Sequence, residues 1–239
     1  ACGAPVAKHG NRSASGTCGS ADVLEALGIR IDAPTATVQK ALDDVGWTFL
    51  FAPRFHAATR HAVGPRKEMG VRTAFNLLGP LTNPARPDGQ VVGVPRAELA
   101  PFVARCLQRL GTKRAWVVHG SGLDELTLAG PTTVAELDRG AVRTFTIVPE
   151  DAGLASAPLE ALRGGDPQAN AALAREVLSG VPGPKRDVVL FLQADNPAQG
   201  PNVATQLTVQ MGDQVIAAVP LGAAAYAAAG VTEIVALRG

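Results

Sequence analysis

The stretch QVVGVPRAELAPFVARCLQRLGTKRAWVVHG, residues 90–120, changes hydrophobic period twice. QVVGV at 90–94 and RAWVVHG at 114–120 are short Val-rich runs bounded by Gly, Pro or helical sequence, and they read as buried strands. Between them, RAELAPFVARCLQRLG at 96–111 sets Leu99, Phe102, Val103, Cys106 and Leu110 at helical spacing, which predicts a crossover helix with that face inward. Strand, helix and strand in this order make a βαβ unit, and a βαβ unit implies a parallel or mixed sheet.

Upstream, TFLF at 48–51 reads as another buried strand. DVLEALG at 22–28 is a helix with Val23, Leu24 and Leu27 on one face, Asp22 able to cap against Glu25, and Gly28 able to end it. TATVQKALDDVG at 35–46 repeats that logic, with Val38, Ala41, Leu42 and Val45 inward and Gly46 after. TTVAELDRGAVRTFTI at 132–147 reads as strand, Gly turn and strand, and NAALAREVLSG at 170–180 as the last clear helix. No internal repeat or long linker divides the chain. The fold class is therefore α/β, with a central, mostly parallel (mixed) sheet flanked by helices. Past Lys185 and Arg186 the pattern does not read as one element type.

The 239 residues hold 22 Lys+Arg against 21 Asp+Glu, so no overall positive field draws the chain to nucleic acid. Hydrophobic residues make up 46%, enough for a globular core and too many for a disordered chain. Cys2, Cys18 and Cys106 are odd in number and lack metal-ligand spacing, which predicts reduced thiols and a cytoplasmic setting. The opening ACGAPVAKHG lacks the pattern of a signal peptide, and the uncharged run from Val215 to Val231 is too weakly apolar to predict a membrane span.

Three segments carry chemistry. KHGNRSASGTCGSAD at 8–22 packs three glycines, several hydroxyls, Lys8 and Arg12 into a loop that runs into a helix. Glycines let backbone approach a phosphate, Ser13, Ser15 and Ser20 offer donors, and a helix start presents N–H groups. An ordinary Gly/Ser-rich connection is the alternative. GPRKEMGVRTAFNLLGPLTNPARP at 64–87 sets Arg66, Lys67 and Arg72 beside a long uncharged stretch. An arginine against apolar walls suits a planar carboxylate, although a solvated helix end reads equally well. Asn83-Pro84 reads as a turn. VVHGSGLDEL at 117–126 ends a strand in Gly-rich residues followed by Asp124 and Glu125. Ligands gather at strand carboxyl ends, and two adjacent acids suit Mg²⁺, whose shell is completed by water and substrate phosphate; solvated charge is the alternative. His9, His56, His61 and His119 show no HExxH spacing, no G-x-S-x-G elbow is present, and His119 is left without a role.

These segments, in this order, resemble the anthranilate phosphoribosyltransferase family of tryptophan biosynthesis. KHGNRSAS with GSADVLEALG, FLFAPRFHAATRHAVGPRKEMGVRTAFNLLGPLTNP and GLDE carry the resemblance, which runs from Ala1 to about Asp187. It implies a nucleoside phosphorylase/phosphoribosyltransferase-like large domain, with residues 1–187 as the catalytic part and 188–239 as a divergent segment of the same domain. By resemblance, Lys8, His9, Gly10, Asn11, Arg12, Ser13, Ala14, Ser15, Gly16 and Ser20 embrace phosphoribosyl pyrophosphate. Asn11 and Arg66 contact anthranilate, and Asp124 with Glu125 serve Mg²⁺. The implied enzyme is a cytoplasmic homodimer that binds neither nucleic acid nor membrane. No general base is expected, because the neutral amine of anthranilate already carries its lone pair.

The sequence departs from that family in three places. Family members carry, ahead of this point, a helical domain and a Gly-Thr-Gly-Gly-Asp turn with an Asn-Ile-Ser-Thr stretch that also bind pyrophosphate and magnesium. Without them the chain reads as a truncated form with little activity alone. Gly16 and Cys18 stand where the family usually has serines, removing two hydroxyls while leaving backbone donors. After Val188 the family continues with an Ala-rich helix, whereas FLQADNPAQGPNVATQLTVQMGDQVIAAVPLG alternates like strands; extra strands and an altered reading of the gene both fit. Two other readings stand beside the transferase: a pyrimidine nucleoside phosphorylase-like enzyme, and a non-catalytic nucleic-acid-binding relative of the same fold. Arg66 with RTAFNLLGPLTNP favours the transferase over the first, and the balanced charge argues against the second.

Overall fold

The computed structural model describes residues 5–13, 17–69, 73–191, 206–210 and 215–220. The chain opens with strand β1 (Val6–Gly10), helices α1 (Ser20–Ala26) and α2 (Thr35–Val45), and strand β2 (Trp47–Phe51). Three helices follow, α3 (Ala52–Phe55), α4 (Arg60–Met69) and α5 (Phe75–Leu81). Then come β3 (Gly89–Gly93), α6 (Ala100–Arg109), β4 (Arg114–Gly120), β5 (Thr132–Asp138) and β6 (Ala141–Ile147). Helices α7 (Pro167–Leu178) and α8 (Pro184–Phe191) and the strands β7 (Gln206–Gln210) and β8 (Val215–Pro220) complete it.

The βαβ unit forms as its sequence predicts, with β3 and β4 paired in parallel and α6 between them. The four-stranded sheet runs in the order β3-β4-β5-β6, and β1 pairs with β2 in parallel as a second sheet. The sheets are mixed rather than dominated by parallel pairs, since β4/β5, β5/β6 and β7/β8 are antiparallel. The cause at β5/β6 is the Arg139-Gly140 turn, whose φ angles of 48° and 78° close a two-residue hairpin and leave no room for a crossover.

Helix α6 buries Val103 and packs Leu99 as expected, but its inward face is otherwise rotated from the expected set. Ala100, Val103, Ala104 and Leu107 are buried, whereas Phe102 is 53% and Leu110 62% exposed. The period is right and the phase is displaced. Ala100 and Ala104 are small enough for the helix to lie close on the sheet, where Ala115, Val117 and Ala135 complete the same cluster. Val45 of α2 is likewise exposed, while Val38 is buried against Ala7 and Leu50.

A second cluster joins the other face of the sheet to α1, α7 and α8 through Val23, Val118, Val134, Ala171, Ala174, Val188 and Val189. Helix α8 thus carries the core across residue 188. Asp166 caps α7, its side chain accepting from the Ala169 N–H. The buried carboxylate of Glu136 accepts from Trp116 Nε1 at 2.9 Å and from Arg143 Nε, so its charge is met within the sheet. Among the described residues, no helix is long and apolar enough to cross a membrane.

Candidate functional site

Parallel pairing aligns His9 with Leu50 and Gly10 with Phe51, so the end of β1 emerges beside the start of α3. Gly10 is required there, because a β-carbon would fall 2.8 Å from both the Phe49 ring and the Ser20 hydroxyl. Asn83 joins this strand to the turn after α5. Its Nδ2 donates to the Ala7 carbonyl at 3.1 Å, while its Oδ1 accepts from the Ala85 N–H at 3.0 Å. Sequence reading gave Asn83 only a turn.

The loop after β1 closes largely on itself. The Asn11 carbonyl accepts from the Ala21 N–H at 3.3 Å and from the Ser20 hydroxyl at 3.4 Å. Asp22 reaches back to accept from the Gly19 N–H at 2.6 Å and the Ser13 N–H at 3.4 Å. The start of α1, expected to offer open N–H groups, is therefore capped by its own loop. The Arg12 guanidinium pairs with Asp22 at 2.7 Å and Glu25 at 2.6 Å, which raises its pKa and directs its charge toward α1. Against desolvation, Arg12 and the Gly19 and Ser13 N–H groups hold the Asp22 carboxyl below its ordinary range. Ala14, Ser15 and Gly16 lie outside the described residues, as does Arg72.

One cavity of about 570 Å³ brings the three segments together. Lys8 through Arg12, Arg66, Phe75, Asp124 and Glu125 all line it. The Arg66 guanidinium lies 5.3 Å from the centroid of the Phe75 ring. Helices α4 and α5, which carry these two residues, escaped the sequence reading because Gly64, Pro65, Gly79 and Pro80 interrupt any amphipathic period.

Two histidines edge the same cavity. His9 Nδ1 lies 3.2 Å from the Gly79 carbonyl, and His9 Nε2 lies 3.1 Å from His56 Nε2. With the Nδ1 proton given to Gly79, His9 Nε2 accepts and His56 Nε2 donates. Burial first, then the neighbouring His56, lowers the His9 pKa to about 4, with the Gly79 bond opposing. His56 had no signal in the sequence beyond its residue type.

Buried Lys8 is pushed down to about 7 by desolvation, with Glu125 opposing the shift. Burial raises the Glu125 carboxyl well above its ordinary range, Asp124 adds to the rise, and Lys8 opposes it. Among the described residues no three His, Cys, Asp or Glu side chains gather into a metal cage. Two adjacent acids at a cavity wall nevertheless fit Mg²⁺, which takes one or two carboxylates and leaves its other positions to water and phosphate. A cation there would offset the repulsion between the two adjacent carboxylates.

The chain matches the family described as "Glycosyl transferase family, a/b domain" over residues 1–209. It is 60% identical to anthranilate phosphoribosyltransferase of Moorella thermoacetica, over 79% of this chain and 56% of that protein. The protein of that name from Trichlorobacter lovleyi is 55% identical, over 80% of this chain and 55% of its own length. The crystal structure of anthranilate phosphoribosyltransferase from Thermus thermophilus superposes with a TM-score of 0.73 at 50% identity, covering 80% of this chain and 57% of that one. The Saccharomyces cerevisiae enzyme in complex with PRPP and Mg gives 0.69 at 32% identity, over 80% and 53%. The chain thus spans about half the length of the relatives it matches. With its cavity built from the same segments that align, this chain belongs to the glycosyl transferase family through that α/β domain.

Proposed function

We propose that the chain is the α/β part of an enzyme that transfers the phosphoribosyl group of phosphoribosyl pyrophosphate to anthranilate, giving N-(5-phosphoribosyl)anthranilate and pyrophosphate. The observation that carries this reading is that the Lys8–Arg12 segment, Arg66 and the Asp124–Glu125 pair line one cavity. In the transfer, the bond from ribose C1 to the pyrophosphate oxygen breaks. The anthranilate nitrogen forms the new bond and loses a proton. The protein's task is positioning and electrostatics.

Each residue then has a part. Residues Lys8 through Arg12, which line the cavity, hold phosphoribosyl pyrophosphate together with the rest of the loop through Gly16 and Ser20, and Lys8 gains a proton against its negative charge. Arg66, steadied on Phe75, reads the anthranilate carboxylate with two N–H groups, and Asn11 lies between the two substrates. Asp124 and Glu125 would hold Mg²⁺, which when bound neutralises charge on the leaving pyrophosphate. Two free thiols, Cys18 and Cys106, support a cytoplasmic setting, and a homodimer of the whole protein belongs to the same reading.

Calorimetric titration of this chain with phosphoribosyl pyrophosphate, with and without Mg²⁺ and then with anthranilate, tests the proposal. Magnesium-dependent binding followed by anthranilate binding is expected. A folded chain that binds neither ligand overturns the reading that these residues form the site by themselves.

A further inference from the structure

We propose that Gly93 and Gly120 form a seat for the backbone of Asp124 and Glu125, so that both glycines are positioning residues for the acid pair. The inference rests on the proposed function, because it assigns the acids a metal. Strands β3 and β4 run side by side, Gly93 pairing with Val118 two residues before Gly120. After Gly120 the chain reverses through Ser121 (φ 50°) and Gly122 (φ 83°). Gly120 and Leu123 close this turn with N–H to carbonyl bonds of 3.0 and 2.9 Å in both directions. The reversal lays the next two residues across the ends of both strands.

At both places the backbone of the acid pair is among the nearest atoms. A β-carbon on Gly93 would fall 1.7 Å from the Asp124 carbonyl oxygen and 2.6 Å from its carbonyl carbon. A β-carbon on Gly120 would fall 2.9 Å from the Glu125 carbonyl oxygen, and closer still to Thr132 Oγ1 and Thr127 Cγ2. Successive carbonyls of the acid pair thus rest on successive strands at the two places without side chains. A flexible side chain could swing away from an added methyl, but a carbonyl moves only with its loop. The strand ends cannot part to make room either. Val94 N–H donates to the Val118 carbonyl at 3.0 Å, and His119 Nδ1 lies 2.9 Å from the Val94 carbonyl.

Side chains at either position therefore lift Asp124 and Glu125 away from the cavity that both line. The sequence reading treated these glycines as strand and turn residues. A structural role alone predicts lost stability; the seat predicts in addition that magnesium and the phosphate ligand become uncoupled.

The test is calorimetric measurement of phosphoribosyl pyrophosphate affinity with and without Mg²⁺ in wild type, Gly93→Ala, Gly120→Ala and Val117→Ala, each with its thermal midpoint. Val117 is fully buried in the α6 cluster, so Val117→Ala supplies a loss of stability from the same sheet. The expected result is that Gly93→Ala lowers the magnesium enhancement about tenfold or more and Gly120→Ala lowers it less, whereas Val117→Ala keeps it. A wild-type enhancement retained in Gly93→Ala overturns the seat and leaves the proposed function standing. No enhancement in wild type overturns the assignment of magnesium to the acid pair in this chain, and the seat with it. If Gly93→Ala does not fold, Gly120→Ala decides by the same ratio.

Discussion

The Nε2 atoms of His9 and His56 lie 3.1 Å apart, with the opposite nitrogen of His9 held 3.2 Å from the Gly79 carbonyl. Two imidazoles at that distance share one proton between facing nitrogens, and a proton added to His9 Nε2 would set two N–H donors against each other. The pair ties the end of β1 to the chain after α3 and, through Gly79, to α5.

Burial of His9, reinforced by His56, sets a pH dependence. The His9 pKa is about 4 in the folded chain, below the ordinary 6.5, so the unfolded chain binds more protons between those values. Stability therefore rises with pH across that window, and the penalty is fully present below pH 4. The thermal midpoint of wild type should fall from pH 6.5 to 4, and that of His9→Gln should fall less. Parallel curves would show that His9 is not the group responsible.

Asn83→Ala removes the bond to the Ala7 carbonyl and the acceptor for the Ala85 N–H. The expected cost is about 1–2 kcal/mol, read from urea unfolding at constant m-value. A change within about 0.3 kcal/mol would mean that Asn83 is only a turn residue after all.

At the β5/β6 hairpin, Arg139 and Gly140 both have positive φ. Gly140→Ala should destabilise by about 1 kcal/mol, and Arg139→Asn should stabilise by a few tenths, since asparagine tolerates this conformation better. Chemical denaturation of the two variants checks the opposite signs.

Arg66→Ala should weaken anthranilate about tenfold or more while changing phosphoribosyl pyrophosphate little, because the proposed function assigns its fork to the carboxylate. Calorimetry on both ligands is the check. Equal losses would remove Arg66 from the carboxylate.

Replacing Asp124 by Asn and Glu125 by Gln should abolish the magnesium dependence of phosphoribosyl pyrophosphate binding. If the dependence survives in this double variant, the metal sits elsewhere.

Much of the site was legible in order but not in arrangement. Lys8 through Arg12, Arg66 and the acid pair were chosen from residue types that suit anions and cations, and the cavity brings them together. His56 and Asn83 lie in the stretch that carries the resemblance but receive no site role from it, since each acts through a partner far away in sequence. Arg12 was chosen for its charge, yet local pairing with Asp22 and Glu25 absorbs that charge.

The amino-acid sequence by itself determined the elements whose causes are local. The β4 run Arg114–Gly120, the end of α2 at left-handed Gly46 and the two-residue turn at Arg139-Gly140 follow from side-chain alternation, a glycine stop and turn chemistry. Only the tertiary structure decided which face of α6 is buried. Both faces carry apolar residues at helical spacing, and the choice fell to the one whose alanines let the helix lie close to the sheet. It also decided the seat of the acid pair, because the distance from Gly93 to Asp124 is set by how the turn after β4 folds back, and no local period records that approach.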